Sequence, residues 1–326
     1  MNKLSSSTAK ISEQKYTLNR SVKYSKKLLL KSKNRIGGFL FRVVVYALLT
    51  SIGFIYLYPL LFMILTSFMN VTDLISPIVR WLPTSLFLGN FRIAHQVLDT
   101  WEALVTTSLI AGFSALFQTL SCAMVGYGFA RHEFPIKKFW MALVIVSYVI
   151  PVQVTMIPRY MLFDSYDMIN TVMPFLLPAI SAQGIKSTIF VMLFYQFFRS
   201  YPKILDEAAQ IDGAGRIRVF VGIAIPMSIP AIVVGILFSF VWYWNETYMA
   251  GIFFGREIQT LPMRLQSFVA SFNRLFPTAD GSVTNRLNEG IRMAGTVISI
   301  IPLLLLYVLL QKQFVESVDR TGITGE

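Results

Sequence analysis

The chain has 326 residues, of which 55% are hydrophobic and only 14% are charged, whereas soluble domains carry roughly 25% charged residues. The shortage of charge is confined to six apolar stretches, which together contain a single charged residue, Lys186. The stretches cover 43–68, 103–130, 139–158, 173–198, 219–245 and 294–310. This pattern indicates an integral membrane protein and excludes a soluble enzyme.

The length of the stretches indicates helices. A helix needs about 20 residues to cross the hydrocarbon core, whereas the strands of a membrane barrel are segments of about 10 residues with alternating polarity. We therefore predict an all-α integral membrane fold with six transmembrane helices. The predicted spans are about 43–68, 106–130, 139–158, 181–198, 228–247 and 294–310.

The net charge of +12 is explained by topology and requires no nucleic acid. Segment 1–42 carries eleven Lys or Arg residues against one acid, Glu13. Because loops rich in Lys and Arg stay on the cytoplasmic side, we predict that 1–42 is a basic cytoplasmic tail close to anionic lipid. Both termini are then cytoplasmic, with residues 43–310 forming the membrane domain and 311–326 a second cytoplasmic tail.

The fourth stretch is irregular because it contains Pro174, Pro178 and Gly184. We expect its helix to start near Ser181, which would leave Lys186 close to the outer interface, where a long side chain can reach polar headgroups. A contact between Lys186 and a substrate is the alternative. After the fourth span, Pro226 and Pro230 are expected to break the helix before the fifth span begins.

Residues 199–226, here called the coupling loop, contain a predicted short helix that stops at Gly213, since glycine best tolerates the left-handed helix end. Apolar and small residues recur along this helix at helical spacing, and such a face suits the docking of a soluble partner. These residues are Ile204, Leu205, Ala208 and Ile211.

The coupling loop resembles the cytoplasmic signature of the permease subunits of bacterial ABC importers. That signature is Glu-Ala-Ala, three residues, Gly, nine residues, Ile, one residue and Leu-Pro. The matching residues here are Glu207, Ala208, Ala209, Gly213, Ile223 and Pro226, with Ile225 in place of Leu. Trp244-Asn245-Glu246 and Gly89-Asn90-Phe91 are similar to the carbohydrate-uptake branch, and the chain as a whole is similar to the second permease of maltose-type systems.

The resemblance implies a type I permease bundle that is multi-pass in the bacterial cell membrane. Its implied partners are a second homologous permease, two ATPase subunits and an extracytoplasmic solute-binding protein. The chain lacks a phosphate-binding Gly-x-x-x-x-Gly-Lys-Ser/Thr loop. We therefore expect a transport subunit without cofactor or enzyme activity, while ATP and Mg²⁺ are used by the partner ATPase. Glu207 is expected to form a salt bridge or a cap at the ATPase interface. The alternative is that its negative charge only stabilises the N-terminal end of its own helix through the helix dipole.

Polar residues within the spans are candidates for the solute path, although such residues also join helices in lipid. The candidates are Gln118, Gln153, Gln196 and Asn245. Trp140, Trp242 and Trp244 are expected at the membrane interfaces. The favoured solute is a sugar or oligosaccharide. The alternatives are another polar solute, such as a polyamine or a phosphate ester, and a stand-alone secondary carrier. We expect neither a metal site nor catalytic residues.

Overall fold

The computed structural model describes residues 41–78, 81–277 and 287–323, and the described residues contain helices and no β-strand. The all-α class is therefore confirmed for this part of the chain. Most of the predicted basic tail, 1–40, lies outside the described residues, as do 278–286 and 324–326. The helices are α1 (Phe41–Ser67), α2 (Val71–Ile75), α3 (Gly89–Leu98), α4 (Thr100–Arg131), α5 (Lys137–Val149), α6 (Val152–Ser165), α7 (Met173–Ile180), α8 (Ser187–Ser200), α9 (Ile204–Ile211), α10 (Arg216–Val219), α11 (Ile225–Met227), α12 (Ile229–Asn245), α13 (Tyr248–Phe253), α14 (Leu261–Gln266), α15 (Phe268–Leu275) and α16 (Glu289–Ile323).

The chain divides into two compact units, Met1–Phe62 and Met63–Glu326. In the first unit the described residues, 41–62, are all helical, and nearly all of their side chains are exposed although most are apolar. A helix that is apolar all round is stable in lipid, because all its backbone hydrogen bonds are internal.

The second unit is organised around α4, which packs against α7, α8 and α12. The approach of α8 is close at Gly126, where an added Cβ would lie 2.7 Å from the Cβ of Phe194 and 2.9 Å from the backbone nitrogen of Tyr195. Small residues allow membrane helices to approach in this way. Gly126 therefore sets the spacing between α4 and α8.

Among the described residues, three helical segments are long and apolar enough to cross a membrane: Phe41–Ser67, Thr100–Arg131 and Glu289–Lys312. If each of two bent helix pairs is counted as one span, the number of candidate spans rises to as many as five. Lys137–Val149 and Val152–Ser165 meet at 99°, and Arg216–Met227 and Ile229–Asn245 meet at 78°. The predicted fourth span corresponds to α8, which has only 14 residues. Six complete spans and the cytoplasmic placement of the termini therefore stay predictions.

Proline accounts for both bends. Pro151 follows α5, and Ile150 before it is extended, with φ −68° and ψ 120°, because the proline ring disfavours a helical conformation at the preceding residue. Pro230 lies in the first turn of α12, directly after the bend at Ser228. The predicted helix break before the fifth span is thus confirmed.

The helix expected to start near Ser181 starts at Ser187. The intervening turn contains Ala182 and Lys186 in the left-handed conformation, with φ 57° and 53°. Such values are uncommon outside glycine and prevent α7 from continuing into α8. The preceding helix is attached to α4, since the Ser121 hydroxyl donates a hydrogen bond of 2.7 Å to the Ala179 carbonyl.

Candidate functional site

The coupling loop contains α9, and Gly213 ends this helix as predicted. Gly213 has φ +82°. Its backbone N–H donates to the carbonyl of Gln210 at 3.0 Å, and the N–H of Ala214 donates to that of Ala209 at 2.9 Å. These two bonds form the Schellman motif, which requires a left-handed residue at this position.

The apolar side chains of α9 point away from the rest of the protein. Ile204 is 68% exposed and Ile211 is 85% exposed. Ala208 and Glu207 are also exposed. Within the described residues this face of α9 is therefore uncovered, as a docking surface would be.

The opposite side of α9 is anchored by Asp206, which is buried. Its Oδ2 lies 3.3 Å from Nε of Arg131 at the end of α4, and the two side chains are 8% and 3% exposed. The Tyr201 hydroxyl donates a 2.7 Å hydrogen bond to Oδ1 of Asp206. Arg131 in turn donates to the Tyr201 carbonyl at 2.7 Å, and its guanidinium carbon lies 3.7 Å from the centroid of the Tyr201 ring. The three side chains form one cluster, called here the α4–α9 anchor.

Burial and the hydrogen bond to Asp206 raise the pKa of Tyr201 above its usual value. The Tyr201 hydroxyl therefore keeps its proton at neutral pH and can donate it to the Asp206 carboxylate. The charge of Asp206 is thus balanced by one cation and one hydroxyl donor, which is the condition for a stable buried carboxylate.

Sequence reasoning selected Glu207 for a salt bridge or cap at the ATPase interface, which stays a prediction, and it missed the ion pair that Asp206 forms within the chain. Among the described residues Glu207 forms no salt bridge, whereas Asp206 does. Helical geometry provides a signal: with 3.6 residues per turn, Asp206 lies on the side opposite Ile204 and Ile211. If the apolar side faces a partner, Asp206 faces the protein itself.

The remaining signature residues lie where the coupling loop returns toward α12. Ile223 is partly buried in a π-helical turn, Phe220–Ala224. Pro226 is exposed in α11, directly before the 78° bend. Single π-helical turns often occur at functional sites in proteins.

A second feature is a cavity of about 360 Å³ in the second unit. Its lining includes three charged residues, Arg159 of α6, Lys186 before α8 and Glu246 after α12. The Lys186 ammonium lies 4.6 Å from the centroid of the Trp242 ring. Glu246 Oε1 accepts a 2.8 Å hydrogen bond from the backbone N–H of Met249.

Gln118 does not line this cavity; it is fully buried beside it. Its Nε2 donates to the carbonyl of Ile185 at 2.8 Å and to Oγ of Ser239 at 3.0 Å. Its Oε1 accepts from the Tyr243 hydroxyl at 2.6 Å. The Gln118 amide therefore joins α4, the turn before α8 and α12.

The other three candidates for the solute path are exposed. Gln153 lines the cavity. Gln196 lies on α8, and Asn245 donates from Nδ2 to the carbonyl of Val241 at 2.8 Å. The structure thus brings Gln153 together with the charged cavity residues, and the solute-path assignments stay predictions.

Two residues of the motifs that carried the resemblance have structural roles. Trp244, expected at a membrane interface, is only 1% exposed, and its ring stacks on Phe240 with centroids 5.5 Å apart. The interface prediction is wrong for Trp244 because this side of α12 faces the core. Asn90 is buried and donates from Nδ2 to the carbonyls of Ser67 at 3.0 Å and Met69 at 2.7 Å.

The described residues thus form an all-helical fold with helices of membrane-spanning length and an exposed loop helix that is anchored to α4. Residues 122–320 match the family model described as "Binding-protein-dependent transport system inner membrane component". The chain belongs to this family, which confirms the resemblance found in the coupling loop.

Individual relatives agree with this assignment. The chain is 30% identical over 271 residues to "Probable ABC transporter permease protein YurM" of Bacillus subtilis, a match covering 82% of this chain and 84% of that protein. It is 27% identical to "Arabinooligosaccharides transport system permease protein AraQ" of Halalkalibacterium halodurans, covering 84% and 93%. A solved bacterial ABC transporter "involved in the import of the acidic polysaccharide alginate" shares the fold, with a TM-score of 0.68, 18% identity, and coverage of 86% of this chain and 98% of that one.

Proposed function

We propose that the chain is a permease subunit of an ABC importer, forms half of the translocation path for a sugar or oligosaccharide, and couples to a separate ATPase through the coupling loop. Family membership supports the importer function. The name of the arabinooligosaccharide relative supports the substrate class.

The observation that carries the coupling role is the two-sided arrangement of α9. Its inner side is attached to α4 by the Arg131–Asp206 pair, while its outer side, with Ile204 and Ile211, is exposed. A partner that binds the outer side and moves would displace α4 together with α9. Glu207 is exposed in the first turn of α9 and is available for a cation of that partner.

The proposal includes three kinds of protein partner. A second homologous permease completes the path, two ATPase subunits bind and hydrolyse ATP with Mg²⁺, and an extracytoplasmic binding protein delivers the solute. The chain itself binds no cofactor. It crosses the cell membrane several times with both termini in the cytoplasm, which places the coupling loop on the side where ATP is available.

The assembly is tested by purifying the tagged chain from native membranes in mild detergent and identifying the retained proteins by mass spectrometry. We expect an ATPase and a second permease. Recovery of the chain alone, or only as a homodimer, would contradict the importer proposal and favour a stand-alone carrier.

The coupling role is tested in the purified complex with Glu207→Lys and with deletion of residues 208–213. We expect loss of ATP-dependent uptake while the ATPase keeps its basal hydrolysis. Glu257→Lys is the matched control, since Glu257 is an exposed acid outside the coupling loop, and it should leave uptake unchanged. Normal uptake in both coupling-loop variants would reject the role of α9 in coupling to the ATPase.

A further inference from the structure

The cavity in the second unit has an excess of positive charge. Arg159 and Lys186 both line it, and among the described residues neither forms a salt bridge. The acid in the lining is Glu246, whose carboxylate already accepts the backbone N–H of Met249. Among the described residues the cavity therefore carries two cations against one carboxylate, an excess of one positive charge.

The location of Arg159 in an apolar segment makes its positive charge energetically costly to bury. It is partly buried on α6, which belongs to a bent helix pair apolar enough to cross the membrane. A cation in such a segment needs a counter-charge or a water-filled cavity, and ionisable residues at such positions mark solute pathways. Since no described carboxylate pairs with Arg159, a bound solute is the natural source of the counter-charge.

The rest of the lining suits a sugar ring. Phe175, Tyr243, Tyr248 and Phe253 provide aromatic surface around the charged groups. Binding sites for small molecules combine such apolar walls with a few well-placed polar groups, in volumes of about 300–1,000 Å³. At about 360 Å³ this cavity holds a short part of a solute rather than a long chain.

The two cations differ in what they recognise. The planar guanidinium of Arg159 can donate two parallel hydrogen bonds to one carboxylate. The Lys186 ammonium is a point charge, and its position over the Trp242 ring keeps it at the cavity. Together they favour an anion over a neutral sugar and disfavour a polyamine.

We propose that the cavity binds an anionic sugar, with the carboxylate of a uronic acid unit facing Arg159 and Lys186. This inference rests on the proposed import function and specifies the charge of the substrate. Gln153, which also lines the cavity, is available to hydrogen-bond sugar hydroxyls.

The test uses the complex isolated from native membranes and reconstituted in proteoliposomes with its binding protein. ATP-dependent uptake is measured for trigalacturonate, for the neutral trisaccharide maltotriose and for glucose 6-phosphate. We expect uptake of trigalacturonate. Arg159→Gln and Lys186→Gln should each lower it about 10- to 100-fold, the loss typical of one charge-assisted hydrogen bond.

Two further variants separate charge from folding. Arg159→Lys keeps the charge but loses the planar fork, and should retain more uptake than Arg159→Gln. Arg256→Gln removes an exposed cation that does not line the cavity, and should leave uptake unchanged. Equal recovery of the assembled complex is checked for every variant.

Uptake of maltotriose alone would overturn the charge assignment and leave the importer proposal intact. Uptake of glucose 6-phosphate but not of trigalacturonate would overturn the assignment of a carboxylate as the bound anion. Trigalacturonate uptake that is unchanged in Arg159→Gln and Lys186→Gln would overturn the role of the cavity. A complex lacking an ATPase would instead contradict the proposed function itself.

Discussion

Arg131, the last residue of α4, forms a buried salt bridge with Asp206 in the first turn of α9, with Nε and Oδ2 3.3 Å apart. The pair connects the end of an apolar span to the loop helix that carries the family signature. Because both side chains are less than 10% exposed, loss of either one leaves the other charge buried without its partner. Such losses typically cost about 3–5 kcal/mol.

We therefore expect Asp206→Asn and Arg131→Gln each to lower the free energy of unfolding by about 3–5 kcal/mol. The double variant should cost clearly less than the sum of the two, since no unpaired charge is left buried. Denaturant unfolding of the detergent-solubilised protein measures all three. Glu207→Gln is the control, because Glu207 is exposed on the same helix turn. Additive costs would show that the two residues act independently.

A second prediction concerns the end of α9. Gly213→Ala places a Cβ on a residue with φ +82°, where nothing else lies within 4 Å, so backbone strain is the expected cause of any loss. The strain is about 1–2 kcal/mol. Gly215→Ala is the matched control, because Gly215 has φ −68° and equally open surroundings. Thermal unfolding and ATP-dependent uptake should both be impaired by the first substitution and unaffected by the second.

A third prediction separates structure from transport at Gln118. Gln118→Leu leaves the Ile185 carbonyl without the donor Nε2 and the Tyr243 hydroxyl proton without its acceptor, and each such buried unsatisfied group costs about 1–3 kcal/mol. We expect a lower unfolding temperature and less assembled complex, with an unchanged KM for uptake in the complex that forms. A raised KM at normal stability would instead assign Gln118 to the solute path.

Gly184 supports the same interpretation of Gln118. A Cβ at Gly184 would collide with Oε1 of Gln118 and with the Tyr243 hydroxyl. A Cβ at this point of the turn therefore fits only if the buried Gln118 amide and the Tyr243 hydroxyl shift out of their hydrogen-bonded positions. Gly184→Ala should lower the unfolding temperature in the same way as Gln118→Leu.

Local features of this fold were predictable from the sequence. The apolar stretches, the helix stop at Gly213 and the break near Pro226 and Pro230 each depend on neighbouring residues and on general backbone chemistry. The structure confirms the stop and the break.

Contacts between distant segments were not predictable in this way. Asp206 and Glu207 are chemically similar neighbours, and only the packing of α9 on α4 buries the first and exposes the second. Gln118 was chosen as a solute contact because it is polar within a span, whereas its partners come from the turn before α8 and from α12. Arg159 and Lys186 share a cavity only because α6 and the start of α8 meet in the fold.

A final prediction follows from His132, which directly follows the anchored Arg131. Burial and the nearby Arg216 guanidinium lower the pKa of His132 below its usual value of 6.5; Lys137 acts in the same direction and Asp206 opposes it. Well above pH 6.5 the imidazole is neutral in both the folded and the unfolded chain, so its effect on stability is absent there. Below that pH the unfolded chain binds the proton first, and folding stability falls until the folded-state pKa is passed.

We therefore expect the unfolding temperature of the purified complex to fall between pH 7.5 and pH 5.5, and His132→Gln to reduce this decline. Arg216→Gln removes part of the cause and should reduce the decline as well, because it raises the pKa of His132 toward its usual value. Differential scanning fluorimetry over this pH range measures the effect. A decline of unchanged size in His132→Gln would assign the pH dependence to another group and reject this role for His132.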